Sequence, residues 1–250
     1  MEISPYFCYN SAMKLKFIIC KAVQKEAYWV AARSANSVDI VLIPQGLHNT
    51  PQLLRAEVQK ELDKACDNQG NPYDAILLGY GLCGNGCVGL KAAITTIIPR
   101  AHDCITLLLG SKEAYQQYLD SHRGVYWYSD GWIATDTMPG KERVERLIAE
   151  YSEKYGADNA QYLMEMEQMW MKEYNWATYI DWNLAESQRQ QQYTRDCAAY
   201  LNWQYDYVAG SPSLMQNLVD GKWDDNDFLV VPAGKVIAED LTNPGMIKAI

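Results

Sequence analysis

Short, continuously apolar runs alternate with helix-periodic segments over the first hundred residues. Leu15–Cys20 (LKFIIC) reads as a buried strand, and Lys21–Ser34 after it as a helix. Val38–Leu42 (VDIVL) is a second strand, leading through the turn Pro44-Gln45-Gly46-Leu47-His48 to a helix. Asn49 or Thr50 caps that helix, and Pro51 occupies its first position. The apolar spacing of Leu53, Leu54, Val58 and Leu62 carries it to about Asp67, where Asp67-Asn68-Gln69-Gly70-Asn71-Pro72 stops it. Ala75–Leu78 and Thr95–Pro99 are the third and fourth strands. Strands without polar alternation, joined through helices, predict a parallel sheet covered on both faces, Rossmann-like in character.

From about Lys141 to Tyr200 the pattern turns helical and acidic, with Met164, Met166, Met169 and Met171 close together, which fits plastic helix packing. Tyr205–Ala209 and Phe228–Pro232 are late strands, with a short helix starting at Ser211-Pro212-Ser213. Strands after a helical insert suggest one sheet that uses both ends of the chain. The expected organisation is a single α/β domain over residues 14–250, a helical insert at about 141–200, and an extension over residues 1–13.

Composition narrows the function classes. A chain of 250 residues with 48% hydrophobic and 21% charged residues is globular. A net charge of -9 argues against a nucleic-acid partner, which needs a basic footprint. No run approaches the roughly 20 apolar residues of a membrane span. Residues 1–13 lack the basic start and apolar run of a secretory signal, so a cytoplasmic location is expected. The aromatics are lopsided, 18 Tyr and 8 Trp against 3 Phe, which suits a wide, partly polar cleft, an interface or an aromatic helical core. A homodimer is compatible with them.

Seven cysteines (Cys8, Cys20, Cys66, Cys83, Cys87, Cys104 and Cys197) are many for a reducing compartment, where thiols serve as buried small hydrophobes or as metal and redox ligands. Ligands of open α/β sheets bind at the carboxyl ends of the strands. Cys20 follows the first strand, with Glu26 further along the next helix, and His48 follows the second. Gly79-Tyr80-Gly81-Leu82-Cys83 follows the third, and Arg100-Ala101-His102-Asp103-Cys104 the fourth. Thiols and imidazoles converging from separate strands are what a soft metal requires. Zinc takes Cys and His tetrahedrally, and a cluster held by three cysteines leaves one iron open. Cys20 and Cys104 also fit buried thiols, whereas the glycines around Cys83 expose it. Cys8, Cys66 and Cys197 read as structural, and His122 as facing solvent. Asp103 is placed to orient His102 as a general base or metal ligand.

Gly79, Gly81 and Gly84 also satisfy G-x-G-x-x-G, with Asp103 about 20 residues beyond, the spacing of a dinucleotide fingerprint. Against it, Asn85-Gly86 continue the loop where a helix should begin. Such a loop still offers backbone amides to an anion, with Tyr80 and Arg100 beside it. The D-x-H-x-x-G signature of cobalamin-binding domains is missing, so the chain is not expected to carry a corrinoid through a lower histidine ligand.

Asp74–Leu90 (DAILLGYGLCGNGCVGL), Ile98–Ser111 (IPRAHDCITLLLGS) and Tyr126–Trp132 (YWYSDGW) together resemble the family catalogued as domain of unknown function 1638. Cys20, His48, Ala209-Gly210-Ser211 and Trp223 fit the same pattern, from about residue 14 onward. The resemblance implies a setting in anaerobic bacteria and methanogens, and association with corrinoid-dependent methyltransferase systems. The chain departs from the pattern in its first 13 residues and at Cys87, which is left out of the ligand set.

The leading expectation is a metal-binding protein of anaerobic one-carbon metabolism acting on a small molecule. Cys20, Cys83, Cys104 and His48 would hold an iron–sulfur cluster, or zinc as second choice. His102, Asp103 and Glu26 are the candidate catalytic groups, and Gly79, Tyr80, Gly81, Gly84 and Arg100 the candidate cofactor contacts. The alternatives are a nucleotide- or anion-binding accessory module built on the glycine loop, and a metal-free thiol-dependent transferase.

Overall fold

The computed structural model describes residues 12–240, 242 and 246–250. Cys8 and residues 1–11 of the expected extension lie outside them. The first half runs β1 (Lys14–Cys20), α1 (Gln24–Ala31), β2 (Ser37–Ile43), α2 (Pro51–Leu62), β3 (Ala75–Gly79), β4 (Thr96–Pro99), α3 (Cys104–Leu109) and α4 (Lys112–Ser121). The second half continues with β5 (Val125–Ser129), α5 (Asp130–Ile133), α6 (Lys141–Tyr155), α7 (Ala157–Glu167), β6 (Trp176–Asp181), α8 (Ser187–Leu201) and β7 (Gln204–Ala209). It closes with α9 (Ser213–Val219), β8 (Phe228–Val231), β9 (Ile237–Asp240) and β10 (Met246–Ala249).

The main sheet has the order β2-β1-β3-β4-β8, with four parallel strands and β8 antiparallel at the edge. Its central strands are apolar on both faces because both are covered. On β1, Leu15, Phe17 and Ile19 join a core with Val23 and Val30 near and on α1 and Leu218 of α9. Ile18 points the other way, toward Leu54, Val58 and Leu62 of α2. The mixed α/β architecture with a mostly parallel main sheet is as the pattern predicted. Among the described residues, no helix is long and apolar enough to cross a membrane.

One polar side chain breaks the apolar face of β1. Lys16 is buried, and its ammonium donates to the carbonyls of Glu61 (2.6 Å) and Lys64 (3.3 Å) and pairs with the Glu61 carboxylate (3.2 Å). A cation at a helix C-terminus satisfies orphan carbonyls and opposes the dipole. The helix therefore stops at Leu62, short of the predicted Asp67.

The second half differs more from expectation. β5, β6 and β7 form a separate parallel sheet in that order. The stretch read as a helical insert is divided by β6, and β7 pairs with β6 rather than with the first sheet; β8 alone of the two late strands returns there. The two sheets share one core, since Trp127 of β5, Ile180 of β6 and Trp182 pack among the residues of β1 and α1. Of the clustered methionines, Met164 and Met171 are buried, while Met166 and Met169 are exposed, so helix packing explains only half of them.

Candidate functional site

Four loops at the carboxyl edge of the main sheet and the near side of the second sheet enclose a cavity of about 460 Å³. Cys20 closes β1, opposite Ile43 of β2. A left-handed Gly46 (φ 85°) turns the chain after β2 into a single 3-10 turn, Leu47–Asn49, that presents His48. After β4, Asp103 caps α3 by accepting from the Ile105 amide (3.0 Å), which fixes Cys104 as the first residue of that helix.

The loop after β3 is stitched to the loop after β4. The Leu82 amide donates to Ala101 O (3.0 Å) and the Cys83 amide to His102 O (3.1 Å), as if the sheet continued. This approach explains Gly81, because a β-carbon there would lie 2.5 Å from Ala101 O and 2.7 Å from the Asp103 amide. Cys83 itself takes a left-handed backbone (φ 44°), uncommon for a residue with a side chain. Cys20, Cys83 and Cys104 all line the cavity, as do Tyr80, His48, His102, Asp103 and Gly84. The three thiols are partly buried, and both histidines are exposed to solvent.

The opposite wall comes from elements the sequence pattern did not bring to the site. Tyr115 lies on α4, Val125 and Trp127 on β5, Trp132 on α5, and Tyr174 just before β6. The Tyr115 hydroxyl donates to Asp103 (2.9 Å), joining the two walls. An open groove of about 610 Å³ beside Glu142, Arg146 and Glu186 carries neither thiol nor imidazole.

Burial pushes the Cys20 and Cys104 thiols up and raises Cys83 to about 12, so without a counter-cation all three stay protonated at neutral pH. Tyr80 is raised by burial and further by Cys20, Cys87, Cys83 and Cys104. Its hydroxyl is buried and has no hydrogen-bond partner among the described residues. Among those residues, no group of three or more Cys, His, Asp or Glu side chains is arranged as it stands to hold a metal ion.

Residues 42–219 match the family described as "Protein of unknown function (DUF1638)". The chain belongs to this family. No curated protein and no solved structure matches significantly. The DUF1638 match takes in His48, Tyr80, Cys83, Cys104 and the aromatic wall, and Cys20 lies N-terminal to it.

Several expectations for this DUF1638 chain are corrected. Arg100 does not line the cavity: its guanidinium donates to the carbonyls of Asp225 (2.9 Å), Phe228 (3.2 Å) and Ile247 (2.6 Å), tying the end of β4 to β8 and β10. Glu26 does not reach the cavity; it is buried and accepts from the Gly131 amide (3.1 Å). Asp103 does not orient His102, whose ring nitrogen stands 3.6 Å from it, beyond hydrogen-bond range. His122 does not face solvent freely, since it stacks on Tyr118 (4.2 Å) and meets Trp176 edge-on (4.6 Å). Cys197 is buried as expected, whereas Cys66 is exposed.

Gly79 and Gly81 lie behind the cavity wall, and Gly84 is on it. A β-carbon on Gly79 would lie 2.5 Å from Ile19, so this glycine serves packing between β3 and β1. No helix follows the glycine loop before Cys104, so the helix N-terminus that a dinucleotide fingerprint requires is not formed there. The lopsided aromatic content was the available signal for the second wall, but it gave no position.

Proposed function

We propose that this protein is a thiolate metal-centre protein, with Cys20, Cys83 and Cys104 as ligands. The observation that carries the reading is the meeting of three thiols, from three separate strand ends, in one cavity with a Tyr80 hydroxyl that has no partner among the described residues. A thiol set of this kind suits soft metals. A phenol held among sulfurs is a ready donor to a thiolate or to a ligand on the metal. A metal cation would replace the protons that burial keeps on these thiols.

An iron–sulfur cluster is the preferred occupant, because three thiolates leave one iron open to a small molecule. Zinc, with His48 drawn in as a fourth ligand, is the second. When bound, the metal supplies redox or Lewis-acid chemistry, and loading requires the thiols to rotate toward a common point. The Rossmann-like reading of the sheets belongs to the same proposal, since it places the ligands at carboxyl strand ends. Anaerobic one-carbon metabolism beside corrinoid methyltransferase components is the setting the family resemblance supplies. Elevated thiol pKa values disfavour the metal-free transferase, and the loop without a helix disfavours the nucleotide module.

The test is metal analysis and a visible spectrum of protein produced anaerobically with iron and zinc supplied. The expected result is stoichiometric metal, with a charge-transfer band that bleaches on reduction if iron is held. Cys83→Ser should lose most of it, while Cys66→Ser should keep it. Metal-free wild type, or full retention in Cys83→Ser, would falsify the proposal.

A further inference from the structure

The wall facing the thiols has a chemistry of its own. Tyr115, Trp127, Trp132 and Tyr174 line it, and the rings of Tyr115 and Trp127 stand edge to face with centroids 6.0 Å apart. Among the described residues, no Lys or Arg side chain lines the cavity. Its one carboxylate, Asp103, has no Lys or Arg within ion-pair distance among the described residues; its basic neighbours are two imidazoles, His102 at 3.6 Å and His48, which feels its charge across the cavity. The Tyr115 hydroxyl donates to that carboxylate, which enriches the ring in electron density.

Ring faces are negative and attract cations, most strongly where water is excluded. A phosphate or carboxylate entering the same space would meet the aromatic rings and the charge of Asp103, with no Lys or Arg in the lining to balance it. A bare ammonium would lose hydration that Asp103, already engaged by Ile105 and Tyr115, and the Tyr80 hydroxyl replace only in part, whereas an alkylated one gives up little. We infer that the cavity takes a small alkylated organic cation, such as a quaternary ammonium group, held by the aromatic wall and Asp103. This names the substrate class of the proposed metal site and rests on that cavity being the functional one.

The probe is tetramethylammonium, titrated into the full-length protein at constant ionic strength and followed by tryptophan fluorescence. Neutral tert-butanol and acetate are titrated in parallel. Tetramethylammonium should give a saturable change, with tert-butanol at least about tenfold weaker and acetate without saturation. Asp103→Asn should weaken the cation several-fold, because asparagine keeps the helix cap but removes the charge. Trp132→Leu, at a partly exposed ring, should weaken it without dependence on that cap.

Equal affinity for tert-butanol, saturable binding of acetate, or no saturable response to tetramethylammonium overturns the inference. Metal content is read on the same preparations. Cation binding by metal-free protein upholds this inference while removing the metal reading; metal-loaded protein with no preference for the cation does the reverse.

Discussion

At the scale of single residues, the glycine loop changes meaning once its neighbours are known. In sequence, Gly79, Gly81 and Gly84 form one motif. In space they do three different things: close packing on Ile19, close approach to the loop of Ala101, and a left-handed turn (φ 63°). Gly81→Ala should destabilise by about 1–3 kcal/mol, because the new methyl meets backbone atoms that have no rotamer to yield. It should also reduce metal content by parting Cys83 from Cys104. Gly84→Ala makes only ordinary contacts, with Pro51 Cγ at 3.7 Å and the His48 carbonyl oxygen at 3.9 Å, and should cost about 1–2 kcal/mol, the backbone penalty alone. Urea unfolding and metal analysis of both variants check the contrast. Cys20, Cys83, Cys104 and His48 were legible as candidates because each follows a strand, and strand ends were legible from apolar runs. Asp103 was legible as functional but misread in role, since its two oxygens serve a helix cap and Tyr115 rather than His102.

At the scale of elements, the contact between α1 and α5 is the feature with a consequence for pH. Glu26 is fully buried; one oxygen accepts from the Gly131 amide, and the other has no partner among the described residues. Burial raises it to about 7; the bond from Gly131 opposes the rise, and the charge of Asp130 adds to it. A carboxyl raised on folding binds its proton more tightly in the folded state. Its contribution is therefore complete below its unfolded value near 4.5 and is lost as pH rises through about 7. The loss is on the order of 3 kcal/mol. Denaturant unfolding at pH 5.5 and 8.5 should show wild type weakening at the higher pH and Glu26→Gln losing much less. A Glu26→Gln variant as pH-sensitive as wild type would refute this assignment. Sequence reasoning counted Glu26 among the candidate catalytic groups because it lies in the helix that follows Cys20. Helix phase instead turns it toward Gly131, away from the thiols.

At the scale of the whole molecule, the site lies where two sheets meet, so anything that ties the loops together should stabilise the fold. Ligands that bind only the folded state add stability by mass action. Metal-loaded protein should unfold at a higher temperature than chelator-treated protein, and Cys83→Ser should show no such difference; calorimetry of the four samples decides it. The aromatic wall depends on this architecture entirely. Val125-Tyr126-Trp127-Tyr128-Ser129 has the β-branched and aromatic composition of a strand, yet nothing in its order says which wall it will face. β6 lies within an acidic, helix-rich stretch that hides it.

By itself, the sequence determined the alternation of strand and helix, the two-faced burial of the main sheet, and the edge on which Cys20, Cys83 and Cys104 stand. These follow from local periodicity and from the rule that parallel strands end on the same side. The tertiary structure alone decided that a second sheet closes the cavity with aromatic rings and that the Tyr80 hydroxyl is left without a partner among the described residues. It also turned Arg100 and Glu26 elsewhere. Those outcomes rest on contacts between residues as far apart as Glu26 and Gly131 or Arg100 and Ile247, and local pattern holds no record of such pairings.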